Sequence, residues 1–231
     1  EIASCLVGSE MCIRDRMSRR AIAIVAGCVA LVLAVVAALP FTPAMPVDDV
    51  NVEGAVNLPA EEVTSLSGVE TGTPMGRVDV RRAAQDVATN PWVDSVTVKR
   101  NWPNAVDVTV VEHTPVAWID QGGEPHLINS EGQDFVVAQP PVGAVQLVDI
   151  GEEQLPKAVE VASAITDVAR PQVRELTRDG DHSFVLKLDG DRTVTWGASE
   201  DNRNKALALE TVLQLDGKTF NISNPELVTS R

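Results

Sequence analysis

Three histidines, His113, His126 and His182, are the side chains of this chain best suited to metal binding or proton transfer. They are too scattered for spacing to define a ligand set, and each reads as a surface or strand-edge residue. Two Asp-Gly-Asp triplets, Asp179–Asp181 and Asp189–Asp191, have the composition of a calcium loop. Neither continues into a loop of about twelve residues closed by a bidentate glutamate. Both lie between strand-like runs, where Asp-Gly is ordinary turn chemistry. The acid pairs Glu61-Glu62 and Glu152-Glu153 sit where helical patterns begin, and the helix dipole accounts for them. Ser-x-x-Lys, Gly-x-Ser-x-Gly and glycine-rich phosphate loops are absent. The residues thus predict a protein that binds rather than turns over a substrate, with no catalytic set, no metal, no cofactor and no small-molecule substrate.

Charge narrows what it binds. Residues 47–231 hold 30 acids against 15 bases, a net of −15. Such a surface repels phosphate backbones, which excludes nucleic acid as a ligand, and it is repelled by anionic lipid. All three cysteines, Cys5, Cys12 and Cys28, precede residue 40, so the remainder has neither a disulfide nor a thiolate metal site.

Ala21–Leu39 carries no charge. As a helix it spans roughly 28 Å, about one hydrocarbon core. Four arginines, Arg14, Arg16, Arg19 and Arg20, precede it, and Asp48 and Asp49 follow. That asymmetry keeps the N-terminus in the cytoplasm and places the acidic part outside. The apolar run is too long for a cleaved signal peptide, and Thr42-Pro43-Ala44 is a poor cleavage site, so the segment reads as a retained anchor. Residues 1–16 fit neither a period nor a cap. They resemble a leader that recurs before unrelated translated genes, which places the native start at Met17 and a short tail at 17–20.

After a linker at 40–46, the chain reads strand, helix, helix, strand, strand. Val50 and Val52 alternate in the first strand, over Val47–Ala55. Pro59 opens a short helix with Val63 and Leu66 inward, and Gly68 stops it. Asp79 caps a second helix whose stripe is Val80, Ala83, Ala84 and Val87, ended by Asn90-Pro91. Val96 and Val98 alternate in one run, and Val106, Val108 and Val110 in the next, with Asn101–Asn104 as the turn. All these valines share one face only if paired residue numbers sum to an even value. The hairpin loop must therefore be odd, not a tight two-residue turn.

The strand-helix-helix-strand-strand order resembles a POTRA domain. Val47–Gly54 (V-x-x-V-x-V-x-G), Pro91–Pro103 (P-W-V-x-x-V-x-V-x-R-x-W-P) and Val108–Ala117 (V-x-V-x-E-x-x-P-V-A) resemble the running pattern of the bacterial FtsQ/DivIB cell-division family. The pattern residues here are Gly54, Pro91, Trp92, Arg100, Trp102 and Pro103. The resemblance implies an α+β fold: a transmembrane helix at 21–39, a POTRA domain of three strands and two helices at 47–117, and a mostly β domain with two helices at 118–231.

In that second domain, Leu127–Asn129, Phe135–Val137 and Val145–Ile150 read as strands, with an Asn-x-x-Gly turn at Asn129–Gly132. Leu155–Ala169 reads as a helix with Leu155, Ala158, Val159, Ala162, Ile165 and Ala169 on one face. Val173–Thr177, Phe184–Leu188 and Thr193–Trp196 are strands, and Ser199 caps a helix to Leu215. Trp196, Gly197 and Lys205 resemble further family positions, as does Phe220–Pro225, where Asn221 replaces the usual Asp.

The resemblance implies a non-enzymatic divisome scaffold in the inner membrane at the septum. It implies partners FtsB and FtsL and a place beside the septal wall synthase. The contact would be strand addition at the last strand, at Leu227, Val228, Thr229 and Ser230, whose extent is open because the sequence stops at Arg231. Two other classes are a POTRA protein of outer-membrane assembly or polypeptide transport, and a secreted hydrolase. The first needs several POTRA repeats and barrel strands, the second a nucleophile–base–acid set.

Overall fold

In a computed structural model, the chain is described over residues 19–180 and 182–230; the expected leader at 1–16 and residues 17–18 of the expected tail lie outside the described residues. Helix α1, Arg19–Ala38, leads into a span (Ile22–Phe41) long and apolar enough to cross a membrane, none of it buried within the protein. A 3-10 turn at Leu39–Phe41 closes it.

The first module contains β1 (Asp49–Glu53), α2 (Ala60–Ser67), α3 (Val80–Val87), β2 (Val93–Asn101) and β3 (Ala105–Glu112). The sheet order is β1-β3-β2, with β1 parallel and β2 antiparallel to β3. Val98 pairs with Val108 and Val96 with Val110, across a three-residue loop at 102–104 between Asn101 and Ala105. The loop is odd, as the valine pattern requires. Val106, Val108 and Val110 face a core closed by Val63, Ala83 and Val87 from the two helices. Asp79 caps α3 through Oδ1, accepting from Arg81 N and Arg82 N at 3.1 Å each. Gly68 ends α2 at φ +62°.

Two pattern residues close the far end of this module. Gly54 has φ +83°, and a Cβ there would lie 2.1 Å from the Val110 carbonyl oxygen. No side chain fits between these backbones. Glu112 then folds back on the segment after Gly54. Its Oε1 accepts from the N–H groups of Val56 (2.7 Å), Asn57 (3.0 Å) and Leu58 (3.0 Å), and Oε2 from the Asn57 side chain (2.7 Å). Burial opposes its ionisation, but hydrogen bonds from the Asn57, Leu58 and Val56 backbone and the Asn57 amide outweigh that, and its pKa lies below the ordinary value.

The second sheet has nine strands in the order β12-β11-β10-β9-β8-β7-β4-β5-β6. They are β4 (Pro115–Gln121), β5 (Glu124–Asn129), β6 (Asp134–Val137), β7 (Val145–Val148), β8 (Val173–Asp179), β9 (Ser183–Leu188), β10 (Arg192–Gly197), β11 (Thr219–Asn221) and β12 (Thr229–Ser230). Helices α4 (Leu155–Ala164) and α5 (Asn202–Leu213) pack on it around Trp196, Phe184, Phe220 and Leu209. Val116 and Ala117 belong to this core, so we place the seam between modules at His113–Thr114, just ahead of the expected boundary after 117.

Three helix boundaries differ from the sequence pattern, and each has a side-chain cause. The helix expected over Leu155–Ala169 stops at Ala164, because Ile165 is extended (ψ 123°) and the Arg170 guanidinium takes its carbonyl at 2.8 Å. Ala169 is still fully buried, carried there by the following turn. The helix expected from Ser199 starts at Asn202, with Asp201 at the N-cap in the left-handed region (φ 53°). The Ser199 hydroxyl is engaged elsewhere: it donates to Glu160 Oε2 at 2.8 Å, tying the α5 entry to α4. That helix ends at Leu213 rather than Leu215, where Arg192 Nη2 takes the Val212 (2.6 Å) and Leu215 (3.1 Å) carbonyls.

Glu112→Gln should lower stability near neutrality by about 1–2 kcal/mol, since charge-assisted bonds become neutral ones at a half-exposed site. A depressed carboxyl pKa contributes stability above the unfolded value, roughly 4.3, and loses it as pH falls through the folded value. Urea unfolding should therefore show the gap between parent and variant at pH 7 and its progressive shrinkage as pH falls below about 4. An equal gap throughout would contradict the carboxylate's role.

Candidate interaction edge of the C-terminal sheet

The backbone decides which groups are available at the sheet's open end. Ile222 N–H donates to the Thr195 carbonyl at 2.9 Å, and Thr193 N–H donates to the Lys218 carbonyl at 2.7 Å. Backbone polar groups alternate in direction along a strand. Residues 218, 220 and 222 therefore turn toward β10, and 219 and 221 turn the other way, toward β12. β12 pairs antiparallel with β11, Asn221 opposite Thr229 and Phe220 opposite Ser230. Thr229 is thus the residue that exchanges backbone bonds with Asn221. Ser230, and Val228 by the same alternation, direct N–H and C=O away from the sheet. Among the described residues no strand lies beyond β12.

Side chains follow the complementary alternation. Phe220 and Ile222 are buried, and Val228 packs partly against the same core. Leu227 and Thr229 are exposed. Beside them is a shallow depression of about 250 Å³ lined by Thr195, Thr219, Phe220, Asn221 and Thr229. Of the four positions expected to form the last strand, Thr229 and Ser230 are in it and Val228 adjoins it. Leu227 is not. Asn224 builds a turn, its Oδ1 accepting from Glu226 N at 3.1 Å and its carbonyl from Leu227 N at 3.0 Å, so the chain is still reversing there.

Trp196, Gly197 and Lys205 converge behind this edge. The buried Trp196 indole donates to Asn202 Oδ1 at 2.9 Å. Lys205, 3% exposed, donates from Nζ to the Ala198 carbonyl at 2.8 Å. Burial lowers its pKa, partly offset by Asp201 and Glu200. Gly197 (φ +81°) lets the return loop come close, since a Cβ there would lie 2.8 Å from the Ser223 Cβ. Asn221 Oδ1 accepts from Ser223 N (2.9 Å) and Oγ (2.7 Å), holding the same loop.

The first-module pattern residues are elsewhere. Trp92 packs edge-on to Phe135 of the second sheet, with centroids 5.5 Å apart. The neighbouring Pro91 is exposed at the start of that turn. Arg100 donates from Nε to the Met75 carbonyl (2.9 Å) and from Nη2 to the Val78 carbonyl (2.5 Å). Trp102 and Pro103, joined by a cis peptide, form the hairpin tip, with Trp102 51% exposed. The histidines are apart. His113 sits at the seam with Nδ1 3.2 Å from Asn129 Nδ2, His126 meets Asp134 at 2.7 Å, and His182 is in an exposed turn. Among the described residues no three His, Cys, Asp or Glu converge on a metal-sized site.

Sequence reasoning assigned no role to Glu112, Arg170 or Arg192. Only the glutamate left a signal, as the fixed acid in V-x-V-x-E-x-x-P-V-A. Arg192 caps the end of α5 from 20 residues away and Arg170 caps α4 from just past its end, contacts that carry no periodic signal.

Comparison with known proteins bears on both modules. A family model described as "POTRA domain, FtsQ-type" matches residues 45–113, and one described as "Cell division protein FtsQ/DivIB, C-terminal" matches residues 116–228. The chain is 34% identical over 222 residues to the cell division protein FtsQ of Corynebacterium glutamicum, covering 93% of this chain and 100% of that protein. It is 34% identical over 197 residues to the protein of that name from Mycobacterium leprae, covering 83% of this chain and 58% of the relative. For Mycolicibacterium smegmatis the values are 32% over 196 residues, 83% and 59%. The chain therefore spans a little under three fifths of these two mycobacterial relatives.

Gly197→Ala should loosen the edge without touching it. The variant combines left-handed strain with a clash against Ser223, whereas Gly180→Ala (φ +73°) meets no atom within 4 Å and tests strain alone. Amide exchange at Thr229 should accelerate at least tenfold in the first and stay near the parent rate in the second. Equal rates in both would remove Gly197 from the support of β12.

Proposed function

The chain belongs to the FtsQ/DivIB cell-division family, and on that premise we propose that it is a non-enzymatic scaffold of the division machinery that captures FtsB, and through it FtsL, by strand addition at β12. The reading rests most on one observation: the backbone groups of Val228 and Ser230 point away from the sheet, and no described strand lies beyond them. An edge of this kind is a template for a partner segment, with main-chain bonds supplying affinity and flanking side chains supplying choice. Leu227 and Thr229 on one face and Val228 on the other are the side chains a paired strand would meet.

The apolar helix α1 supports a single-pass membrane protein. Arginines ahead of it and aspartates beyond it support an N-terminus in the cytoplasm and both folded modules outside. In this arrangement the POTRA module addresses the protein to the septum. The nine-stranded sheet holds the FtsB–FtsL pair beside the septal wall synthase. The role of each element is positional, and no step of covalent chemistry is assigned to it.

Val228→Pro tests the edge selectively. Proline removes one outward N–H but leaves the Asn221–Thr229 bonds intact, so the melting temperature should change little. Losing one main-chain bond and the strand geometry around it costs on the order of 1–3 kcal/mol, roughly five- to 150-fold in affinity. In pull-downs from membranes, the parent should retain FtsB and the variant should lose it. Unchanged FtsB capture by a folded Val228→Pro chain would contradict strand addition here.

A further inference from the structure

The segment between the membrane helix and the first module is not a free linker. Met75 N–H donates to the Met45 carbonyl at 2.9 Å, and Val47 exchanges backbone bonds with Thr73 O and Gly72 N at 2.8 Å each. Pro46 bridges Pro74. At Gly76, a Cβ would lie 2.9 Å from both Phe41 Cδ1 and the Pro40 carbonyl oxygen. The 3-10 turn at Met75–Arg77 is therefore in van der Waals contact with the residues that end the apolar span.

Depth follows from length. The span Ile22–Phe41 has 20 residues, about 30 Å as a helix, which fills the hydrocarbon core. Headgroups add roughly 5–7 Å on each side. Whatever touches Phe41 lies within that layer, and the exposed Arg77 follows Gly76 directly. Of the acids that line the same depression as Arg77, Asp79 caps α3 and Asp86 lies 3.7 Å from Arg82, while the exposed Glu70 makes no ion pair within 4.0 Å among the described residues. Among the described residues Arg77 forms no ion pair within 4.0 Å. Arg100 braces this turn through the Met75 and Val78 carbonyls. The β2–β3 hairpin tip is at the same end of the module, because Asp48 N–H donates to the Asn104 carbonyl at 2.8 Å and Asn104 Nδ2 to Asp48 Oδ2 at 2.7 Å. That tip carries the half-exposed Trp102.

We propose that this end of the POTRA module is a membrane foot, in which Arg77 binds phospholipid phosphate and Trp102 lies in the headgroup layer, fixing the angle at which the module stands on the bilayer. The chemistry fits both residues. A guanidinium matches phosphate oxygens in a fork, and tryptophan favours the water–hydrocarbon boundary. Exposed acids flank this contact, namely Asp48, Asp49 and Glu70, with Asp48 held by the Asn104 amide; Arg77 is the exposed cation that directly follows the glycine packed on Phe41. The proposal rests on α1 crossing the membrane.

The test uses the full chain in nanodiscs of equal parts phosphatidylglycerol and phosphatidylcholine. A photo-reactive benzoylphenylalanine at position 77 should form lipid adducts several-fold above the same residue at position 227, in the second module. Tryptophan quenching by lipids brominated near the headgroup should fall in Trp102→Phe, and should also fall by at least half in Arg77→Glu but not in Arg77→Lys. Background adducts at 77 in a chain that stays in the discs would overturn the foot while leaving the anchor intact. Quenching that neither Trp102→Phe nor Arg77→Glu alters would do the same. A chain that leaves the discs would overturn the membrane-spanning reading as well.

Discussion

One backbone bond, from Ile222 N–H to the Thr195 carbonyl at 2.9 Å, sets the direction of every polar group at the open end of the second sheet. It turns residues 220 and 222 toward β10 and residue 221 toward β12. Thr229 then pairs inward and Ser230 outward. A slip of one residue in this ladder would exchange the two sets and bury the groups now presented. The supports around it all resist such a slip: Phe220 and Ile222 in the core, Gly197 against Ser223, and Arg192 stacked 5.3 Å from the Phe220 ring while holding the end of α5.

The two modules use the same physics at opposite ends. In the first, β3 runs from the hairpin tip near the anchor to the seam at His113–Thr114, where β4 begins the second sheet. Eight residues of strand, Ala105–Glu112, carry the chain roughly 25 Å from the hairpin tip to the seam. Glu112 and Gly54 lock the outer end of that strand, and Arg100 braces the turn at its inner end. The first module thus sets a fixed distance between its hairpin tip and the second sheet, beyond which the proposed partner edge lies.

Much of this architecture was legible in the sequence wherever local periodicity governs it. The alternating valines of β2 and β3 determined the parity of their hairpin loop, and Asp79 marked the start of α3. The pattern misleads where a side chain outside the stripe outbids it. Ser199 has the composition of a cap but bonds Glu160, and the stripe that runs to Ala169 is cut at Ile165, whose carbonyl Arg170 takes. Of the residues whose pattern reads as the last strand, Leu227 lies outside it, held by the Asn224 turn. The outward direction of Val228 and Ser230 had no sequence signal at all. It depends on a parallel ladder between β10 and β11, which no spacing reveals.

Residue-resolved amide exchange of the full chain, with and without the FtsB segment, tests the account most directly. The account predicts new protection at the Val228 and Ser230 amides, which point outward, and little change at Thr229, whose amide already bonds to Asn221. Protection arising on another strand edge, with Val228 and Ser230 unchanged, would contradict it.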